Sequence, residues 1–375
     1  MKKSLFVMMI AAALMGGQVF AGYIPTTTDA AVPGDHSYAG VYSETDDVSG
    51  ANVTINEEED GGEDLSKYSI YGGRSREGSA DGNTVTMTGG QVSEVCGGKG
   101  GTAYNNTVTI SGGQVFSVVA GSSKNGNANN TVIMTGGSAT IVQGCALTDA
   151  GEAVGNNVYI AGGKVDAGVV GATADFDSGV ATNNRVHLVG AGASVTVGGA
   201  TYAGQAMQLG IVYAAVAGAG GTMTGNSIEV YGTEITAATL GGTQMLNIHI
   251  ADGVLLSQEA MVSLTSTDSD DALNLTGVEI GFNAADVQDW GKYEGQTITL
   301  VTAAQAITID QGSLGDVEIK DANGTTVATA TLALGGSENV LSLSNIKGAA
   351  PVPEPTTGTL GLLALGLLAG RRRKH

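Results

Sequence analysis

Apolar and polar residues alternate along a short segment that recurs through much of the chain. In the copy that starts at Asn83, Val85 and Met87 alternate with threonines, and a Gly-Gly pair follows. A period of two is typical of a strand with one buried face, and glycine permits the sharp turn that ends it. A second short apolar run follows each glycine pair. Each copy therefore predicts a strand, a glycine corner, a second strand and a loop.

The spacing of the copies predicts the architecture. The clear copies start at Asn83, Asn106, Asn130 and Asn156, which are 23, 24 and 26 residues apart, and the next copy starts 28 residues further on. A recurring unit that is too small to bury its own apolar face indicates a solenoid. No helical pattern separates the strands. We therefore expect an all-β fold, a single-stranded parallel β-helix (β-solenoid) whose coils lie about 4.8 Å apart.

Stacking one copy on each coil predicts two columns of buried apolar side chains. The first column comprises Val85, Val108, Val132, Val158, Val186, Ile228 and Ile248. The second column comprises Met87, Ile110, Met134, Ile160, Leu188, Val230 and Ile250.

The same stacking aligns the asparagine that begins each copy. These residues are Asn83, Asn106, Asn130, Asn156, Asn184 and Asn226. Side-chain amides that lie one coil apart can hydrogen-bond to each other, as in the asparagine ladders of stacked β-structure. The alternative is that each asparagine only starts a turn. We expect the ladder.

Changes in composition divide the chain into five parts. Residues 1–21 read as a signal peptide, residues 22–65 as an N-terminal leader and cap, and residues 66–257 as the repeats. Within the repeats, residues 200–225 are a long insertion or a degenerate coil. Residues 258–348 have few Gly-Gly pairs but several alternating segments, so we expect a C-terminal β cap or a small antiparallel sheet. Residues 349–375 form a tail.

The charge of the chain restricts its partners. All 36 acidic residues but only 10 of the 16 basic residues lie between residues 4 and 370, so this part carries a net charge of −26. Such a surface repels nucleic acid and anionic lipid. The densest acidic run extends from Glu57 to Asp64. We expect a solvated loop there, and a weak calcium site is the alternative.

The N-terminus predicts export. Lys2 and Lys3 precede an apolar stretch, and compact residues precede the expected cleavage point between Ala21 and Gly22. The export machinery is therefore an expected partner.

The tail combines three features in a fixed order. A proline-broken linker is followed by an uncharged stretch, residues 356–370, which is rich in leucine and glycine. The linker contains Val352, Pro353, Glu354 and Pro355, and the basic end comprises Arg371, Arg372, Arg373 and Lys374. As a helix, the uncharged stretch reaches only about 22 Å, less than a full bilayer crossing. Together these features resemble the PEP-CTERM sorting signal.

This resemblance implies a route to the cell surface. In that family a membrane-embedded exosortase recognises the tail and cuts the chain near the Pro-Glu-Pro element. The protein then reaches the cell surface or the extracellular matrix. The resemblance implies an exosortase-like partner, transient insertion of residues 356–370 into the inner membrane, and a mature protein without residues 356–375. The alternative is an ordinary C-terminal membrane anchor that the mature protein retains. The repeats are similar to autotransporter passenger domains, and extracellular polysaccharide or matrix is a further candidate partner.

Candidate chemistry is sparse. The sequence has no motif for a nucleotide, a zinc ion or a nucleophilic serine, so we expect no catalytic residue, cofactor or metal site. His187 and His249 lie at outward strand positions, where they face a ligand or solvent. Tyr159, Tyr213 and Tyr231 either stack on sugars or pack in half-buried strands. We expect a structural or adhesive surface protein, not an enzyme. The alternatives are a polysaccharide lyase or hydrolase, or a polysaccharide-binding module.

The two cysteines suggest a disulfide in an exported protein, but the repeat spacing argues against it. Cys96 and Cys145 follow the second strands of copies that are two coils apart. Two coil steps separate their backbones by about 9.6 Å, whereas a disulfide needs Cα atoms within roughly 7 Å. We therefore expect two free thiols.

Overall fold

A computed structural model of the chain has one 29-stranded, mostly parallel sheet and a separate two-stranded sheet. It describes residues 30–31, 37–56, 68–149, 151–174, 178–257, 259–284, 287 and 289–349. Consecutive coils of the chain pair in parallel, which confirms the predicted all-β parallel solenoid.

The first coils contain the longest strands. In chain order they are β1 (Ala30–Ala31), β2 (Ser37–Ser43), β3 (Val48–Ser49), β4 (Asn52–Ile55), β5 (Ser69–Ser75), β6 (Ser79–Asp81), β7 (Thr84–Met87), β8 (Gln91–Tyr104), β9 (Thr107–Ile110), β10 (Gln114–Ala128), β11 (Thr131–Met134), β12 (Ser138–Leu147), β13 (Glu152–Val154) and β14 (Asn157–Ile160).

The later coils are less regular. Their strands are β15 (Gly163–Ala174), β16 (Val180–Thr182), β17 (Arg185–Val189), β18 (Ser194–Val197), β19 (Ala200–Ala203), β20 (Met207–Tyr213), β21 (Val216–Ala217), β22 (Thr222–Thr224), β23 (Ser227–Tyr231), β24 (Ile235–Gly241), β25 (Met245–Ile250), β26 (Val262–Leu264), β27 (Glu279–Ala284), β28 (Ile298–Ala303), β29 (Gly315–Lys320), β30 (Thr326–Gly335) and β31 (Val340–Gly348). The described helices are α1 (Asp252–Leu256) and the 3-10 helices Ser269–Asp271, Trp290–Tyr293 and Gln311–Ser313.

Three runs of parallel strands surround the core, and we call them faces. Face A comprises β4, β7, β9, β11, β14, β17, β23, β25 and β27. Face B comprises β2, β5, β8, β10, β12, β15, β20, β24, β26 and β28. Face C comprises β3, β6, the ends of β8 and β10, β13, β16 and β22.

The inner side chains of face A form the two predicted columns through most of the repeats. Val132 lies between Val108 and Val158 and is fully buried, as the repeat pattern predicts. The prediction is wrong for the last coil, because Leu246 pairs with Ile228 and Ile248 pairs with Val230. Leu246 and Ile248 therefore occupy the two columns, and Ile250 lies two residues beyond the second column. The coil that starts at Asn226 is short, and a shift of two residues keeps the same alternation of inward and outward side chains.

Parallel pairing extends beyond residues 66–257 at both ends. Before them, β2, β3 and β4 form a further coil that pairs with β5, β6 and β7. After them, β26, β27 and β28 continue faces A and B. The C-terminal end is covered by antiparallel strands, since β31 pairs with both β28 and β30, and β29 pairs with β30. Trp290 is buried beneath this antiparallel sheet.

Residues 200–225 are neither a single insertion nor a degenerate coil. The inserted part is the hairpin β18–β19, which begins at Ser194, ends at Ala203 and lies between faces A and B along the chain. Strands β20 and β22 then complete faces B and C of an ordinary coil. The following coil lacks a face C strand, because only 18 residues separate Asn226 from Gln244.

Both cysteines are buried and free. Cys96 pairs with Val119, whereas Cys145 pairs with Gly121, two residues further along the strand. The expectation that the two cysteines occupy similar places is therefore wrong. They lie in separate apolar clusters.

Candidate functional surface

A column of buried asparagines joins the coils between faces C and A. The Nδ2 atom of Asn106 donates to Oδ1 of Asn130 at 3.0 Å, and the backbone N–H of Asn106 donates to the same oxygen at 3.0 Å. Its Nδ2 also donates to the carbonyl of Ala80 at 2.9 Å. The same side-chain bond, at 2.9 to 3.0 Å, joins Asn83, Asn106, Asn130, Asn156, Asn184 and Asn226 in turn.

Two features of the sequence make room for this column. The residue before each asparagine has a positive φ, between 52° and 64°, and is always glycine or asparagine, the types that tolerate this conformation. These residues are Gly82, Asn105, Asn129, Gly155, Asn183 and Gly225. On the neighbouring coil segment, a Cβ on Gly98 would lie 2.5 Å from the side chain of Asn106.

The column ends on a residue that the repeat pattern did not reveal. Oε1 of Gln244 accepts from the backbone N–H of Asn226 at 3.0 Å and from its Nδ2 at 3.1 Å. Glutamine has the same amide as asparagine. A search for amide side chains before an alternating segment would have found it, since Gln244 directly precedes β25.

The outer side of face A begins as a grid of threonines. Thr84, Thr107 and Thr131 share one row, and Thr86 and Thr109 share the next. All five side chains are half-buried. Within the described part of the chain, none of their hydroxyls has a hydrogen-bond partner. The hydroxyls recur about every 4.8 Å between coils and about every 6.6 Å along a strand.

Further along face A the threonines give way to a polar and aromatic cluster around Glu229. Its Oε1 accepts from Ser227 Oγ at 2.7 Å and from Asn247 Nδ2 at 2.9 Å. Its Oε2 lies 2.8 Å from His249 Nε2. Glu229 is only 7% exposed, and His187 stands beside it in the same row at 7% exposure.

Burial and hydrogen bonding set the charges of this cluster. Burial lowers the pKa of His187 to about 4, although the Glu229 carboxylate opposes this shift. Burial raises the pKa of Glu229, but hydrogen bonds from His249, Asn247 and Ser227 outweigh burial and lower the pKa to about 2. Near neutral pH, Glu229 is therefore ionised and His187 is neutral.

The aromatic rings of this cluster stack on one another. The rings of Tyr159 and His187 are 4.1 Å apart, and those of Tyr231 and His249 are 3.9 Å apart. Of the candidate ligand-binding residues, His187, His249, Tyr159 and Tyr231 thus lie together. Tyr213 lies on face B beside Gly241. Because His187 and Tyr231 have a ring on both sides, the stack leaves its ring edges and its two end faces for a ligand.

One comparison assigns a role to the end of the chain. Residues 351–374 match the family model of the PEP-CTERM protein-sorting motif. This motif marks an exported, surface-directed protein that an exosortase processes. No curated protein and no solved structure matches the chain.

The sorting motif and the other export signals lie outside the described residues. These include the cleavage residues Ala21 and Gly22, the motif residues Val352, Pro353, Glu354 and Pro355, and the basic residues Arg371, Arg372, Arg373 and Lys374. The acidic run from Glu57 to Asp64 also lies outside them. In the part of the chain that the structure describes, no helix is long and apolar enough to cross a membrane. No group of three or more potential metal ligands is found there either.

Proposed function

We propose that the chain is a structural and adhesive protein of the cell surface or extracellular matrix, in which the solenoid holds the outer side of face A as a contact surface. The observation that carries this proposal is the threonine grid, because its hydroxyls have no hydrogen-bond partner among the described residues and recur at regular intervals. The sorting motif supports delivery of the solenoid to the outside of the cell.

The partner that suits this grid is a neutral polysaccharide of the matrix. Hydroxyl groups both donate and accept hydrogen bonds, so the threonines complement the hydroxyls of a sugar chain. No charged residue interrupts the rows formed by β4, β7, β9 and β11. The net charge of the chain, −20, repels an anionic polysaccharide. The similarity of the repeats to autotransporter passenger domains fits the same role.

A carbohydrate-active enzyme is the second candidate, and the Glu229–His249 pair is the observation that favours it. Two features of the pair favour a structural role instead. A general acid needs a raised pKa, whereas hydrogen bonds lower the pKa of Glu229. The adjacent rings are stacked on each other and leave little free face for a sugar.

Co-sedimentation of the purified full-length chain with insoluble polysaccharide tests the proposal. We expect binding to neutral glucans such as cellulose or curdlan, and no binding to calcium-gelled alginate. The double variant Thr86→Val/Thr109→Val removes two grid hydroxyls and keeps β-branched side chains, so binding to the neutral glucan should fall several-fold. The matched control, Thr299→Val/Thr329→Val, lies outside the grid and should bind like the unmodified chain.

Each contrary outcome has a distinct meaning. Equal binding by the two double variants would show that the threonine grid is not the contact surface. No binding to any polysaccharide would leave only the structural role. Release of soluble sugar from the polysaccharide would favour the enzyme.

A further inference from the structure

One hairpin stands apart from the main sheet. Strands β18 and β19 form their own two-stranded antiparallel sheet, in which Val197 pairs with Ala200 and Thr196 with Thr201. The turn between them, Gly198-Gly199, has positive φ at both residues, 58° and 85°. Such angles belong to the type I′ turn, whose twist matches that of the flanking strands.

The base of the hairpin is fixed to the solenoid. Ala191 and Thr233 exchange backbone hydrogen bonds of 2.8 and 3.0 Å. The backbone N–H of Gln205 donates to the carbonyl of Ala161 at 2.9 Å. Both ends of the hairpin are therefore tied to neighbouring coils, so the solenoid sets its direction.

Beyond its base, the hairpin has one free edge on each of its two strands among the described residues. No other described strand pairs with β18 or β19. One side of the hairpin carries Val195, Val197 and Tyr202, all partly exposed, and the other side is exposed. An isolated two-stranded hairpin is marginally stable in water, and its free edges accept a further strand. The hairpin therefore has the form of an interaction element.

Charge identifies the partner that this element suits. From Val186 to Ile228 the sequence contains no Asp, Glu, Lys or Arg, although the chain carries a net charge of −20. Two copies of the chain repel each other over most of their surface. Two such copies can approach each other most easily at an uncharged, exposed element such as this hairpin.

We propose that this hairpin joins two copies of the chain. The free edge of β18 pairs with the β18 edge of a second copy about a two-fold axis, which gives a four-stranded antiparallel sheet. A two-fold contact is satisfied by one self-complementary patch. Strand β18 is the preferred edge because its valines and threonine favour strand pairing. A ten-residue hairpin buries less than the roughly 1,600 Å² of a standard interface, so the dimer is weak and forms where copies are concentrated.

Analytical ultracentrifugation of the purified full-length chain over a range of concentrations tests this proposal. We expect a reversible monomer–dimer equilibrium that becomes stronger as sodium chloride is added, because salt screens the repulsion between acidic copies. Val197→Glu adds a negative charge to the paired edge of each copy and should weaken dimerisation by about tenfold or more. Thr109→Glu makes the same change in charge on face A and should weaken it far less.

Three results would overturn the proposal. They are a chain that stays monomeric at every concentration and salt level, a dimer that both variants weaken equally, and a dimer that Val197→Glu leaves intact. Thermal unfolding of both variants checks that each remains folded. Polysaccharide binding is measured separately, and its failure leaves this test unaffected.

Discussion

Asn106 and Asn130 are joined by a side-chain hydrogen bond of 3.0 Å, and both residues are inaccessible to solvent. From Asn106 to Asn226, each amide in this column uses both of its donors and accepts two hydrogen bonds through its oxygen. A buried amide that is fully paired specifies the register of the coils, because a slipped coil would leave polar atoms without partners. The asparagine column therefore connects the repeat in the sequence to the stacking of the solenoid.

Asn130→Ala should destabilise the solenoid. The substitution removes the acceptor of two hydrogen bonds from Asn106, and the donor to Asn156 and to the carbonyl of Ala103. Leaving these groups buried and unpaired should lower the free energy of unfolding by roughly 2–4 kcal/mol. Urea unfolding followed by circular dichroism measures the change.

Asn157→Ala is the matched control for that experiment. Asn157 is a half-buried asparagine on the next coil, and among the described residues its side chain bonds only to the nearby carbonyl of Gly155. Loss of this side chain should lower the free energy of unfolding by less than about 1 kcal/mol. Equal effects of the two substitutions would contradict a special role for the buried column.

Val132→Asp tests the apolar core directly. Val132 is fully buried between Val108 and Val158, and burying a carboxylate there costs several kcal/mol even if it takes up a proton. The thermal midpoint should fall sharply, whereas Thr131→Asp, one residue earlier and half-buried, should change it little. An unchanged midpoint for Val132→Asp would rule out this packing.

The stability of the solenoid should decrease as the pH falls from 6.5 towards 4. Burial lowers the pKa of His187 from 6.5 to about 4. Between these values the unfolded chain binds a proton that the folded chain does not, so acid favours unfolding. We expect a loss of roughly 1–3 kcal/mol across this range. Glu229 stays ionised in the folded chain there, because hydrogen bonds keep its pKa low, and its own contribution is lost between pH 4.5 and about 2.

Two variants distinguish the titration of His187 from that of other groups. His187→Phe keeps a ring between Tyr159 and Tyr231 but removes the titrating group, so most of the dependence on pH in this range should disappear. Tyr159→Phe keeps the histidine and should retain the dependence. Urea midpoints measured at several pH values supply the comparison. If the His187→Phe chain loses as much stability between pH 6.5 and 4 as the unmodified chain, other groups cause the effect.

Both cysteines should be unreactive in the folded protein. Burial raises the pKa of both thiols, that of Cys145 to about 12, and only the thiolate reacts readily. Titration with a thiol reagent at pH 8 should therefore detect almost nothing in the folded chain and two thiols per chain after unfolding without reductant. A Cys96–Cys145 bridge would contradict the observed register.

Repeats of nearly constant length made much of the fold predictable. From Asn83 to Leu188 the period-two alternation and the regular spacing fix which residues face inward and which coil each residue stands on. The asparagines could be aligned for the same reason. The glycine or asparagine before each of them carries a further signal, because that position needs a positive φ.

The errors arose where coil length changes. Alternation cannot detect a shift of two residues, so the predicted columns are wrong at Ile248 and Ile250. The coil formed by β2, β3 and β4 has Ala51 in place of the asparagine and was therefore not recognised. The Glu229 cluster depends on residues from three coils of unequal length, which the sequence pattern does not align.

The most direct test of the central claim, that this solenoid is an exported protein processed at its sorting motif, is the intact mass of the protein at the cell surface. In a host that contains an exosortase, the surface protein should lack residues 356–375. In the same host without the exosortase, or with Pro353, Glu354 and Pro355 replaced by alanine, the tail should remain and the surface signal should fall. Full-length protein at equal levels on the surface of both hosts would contradict the account.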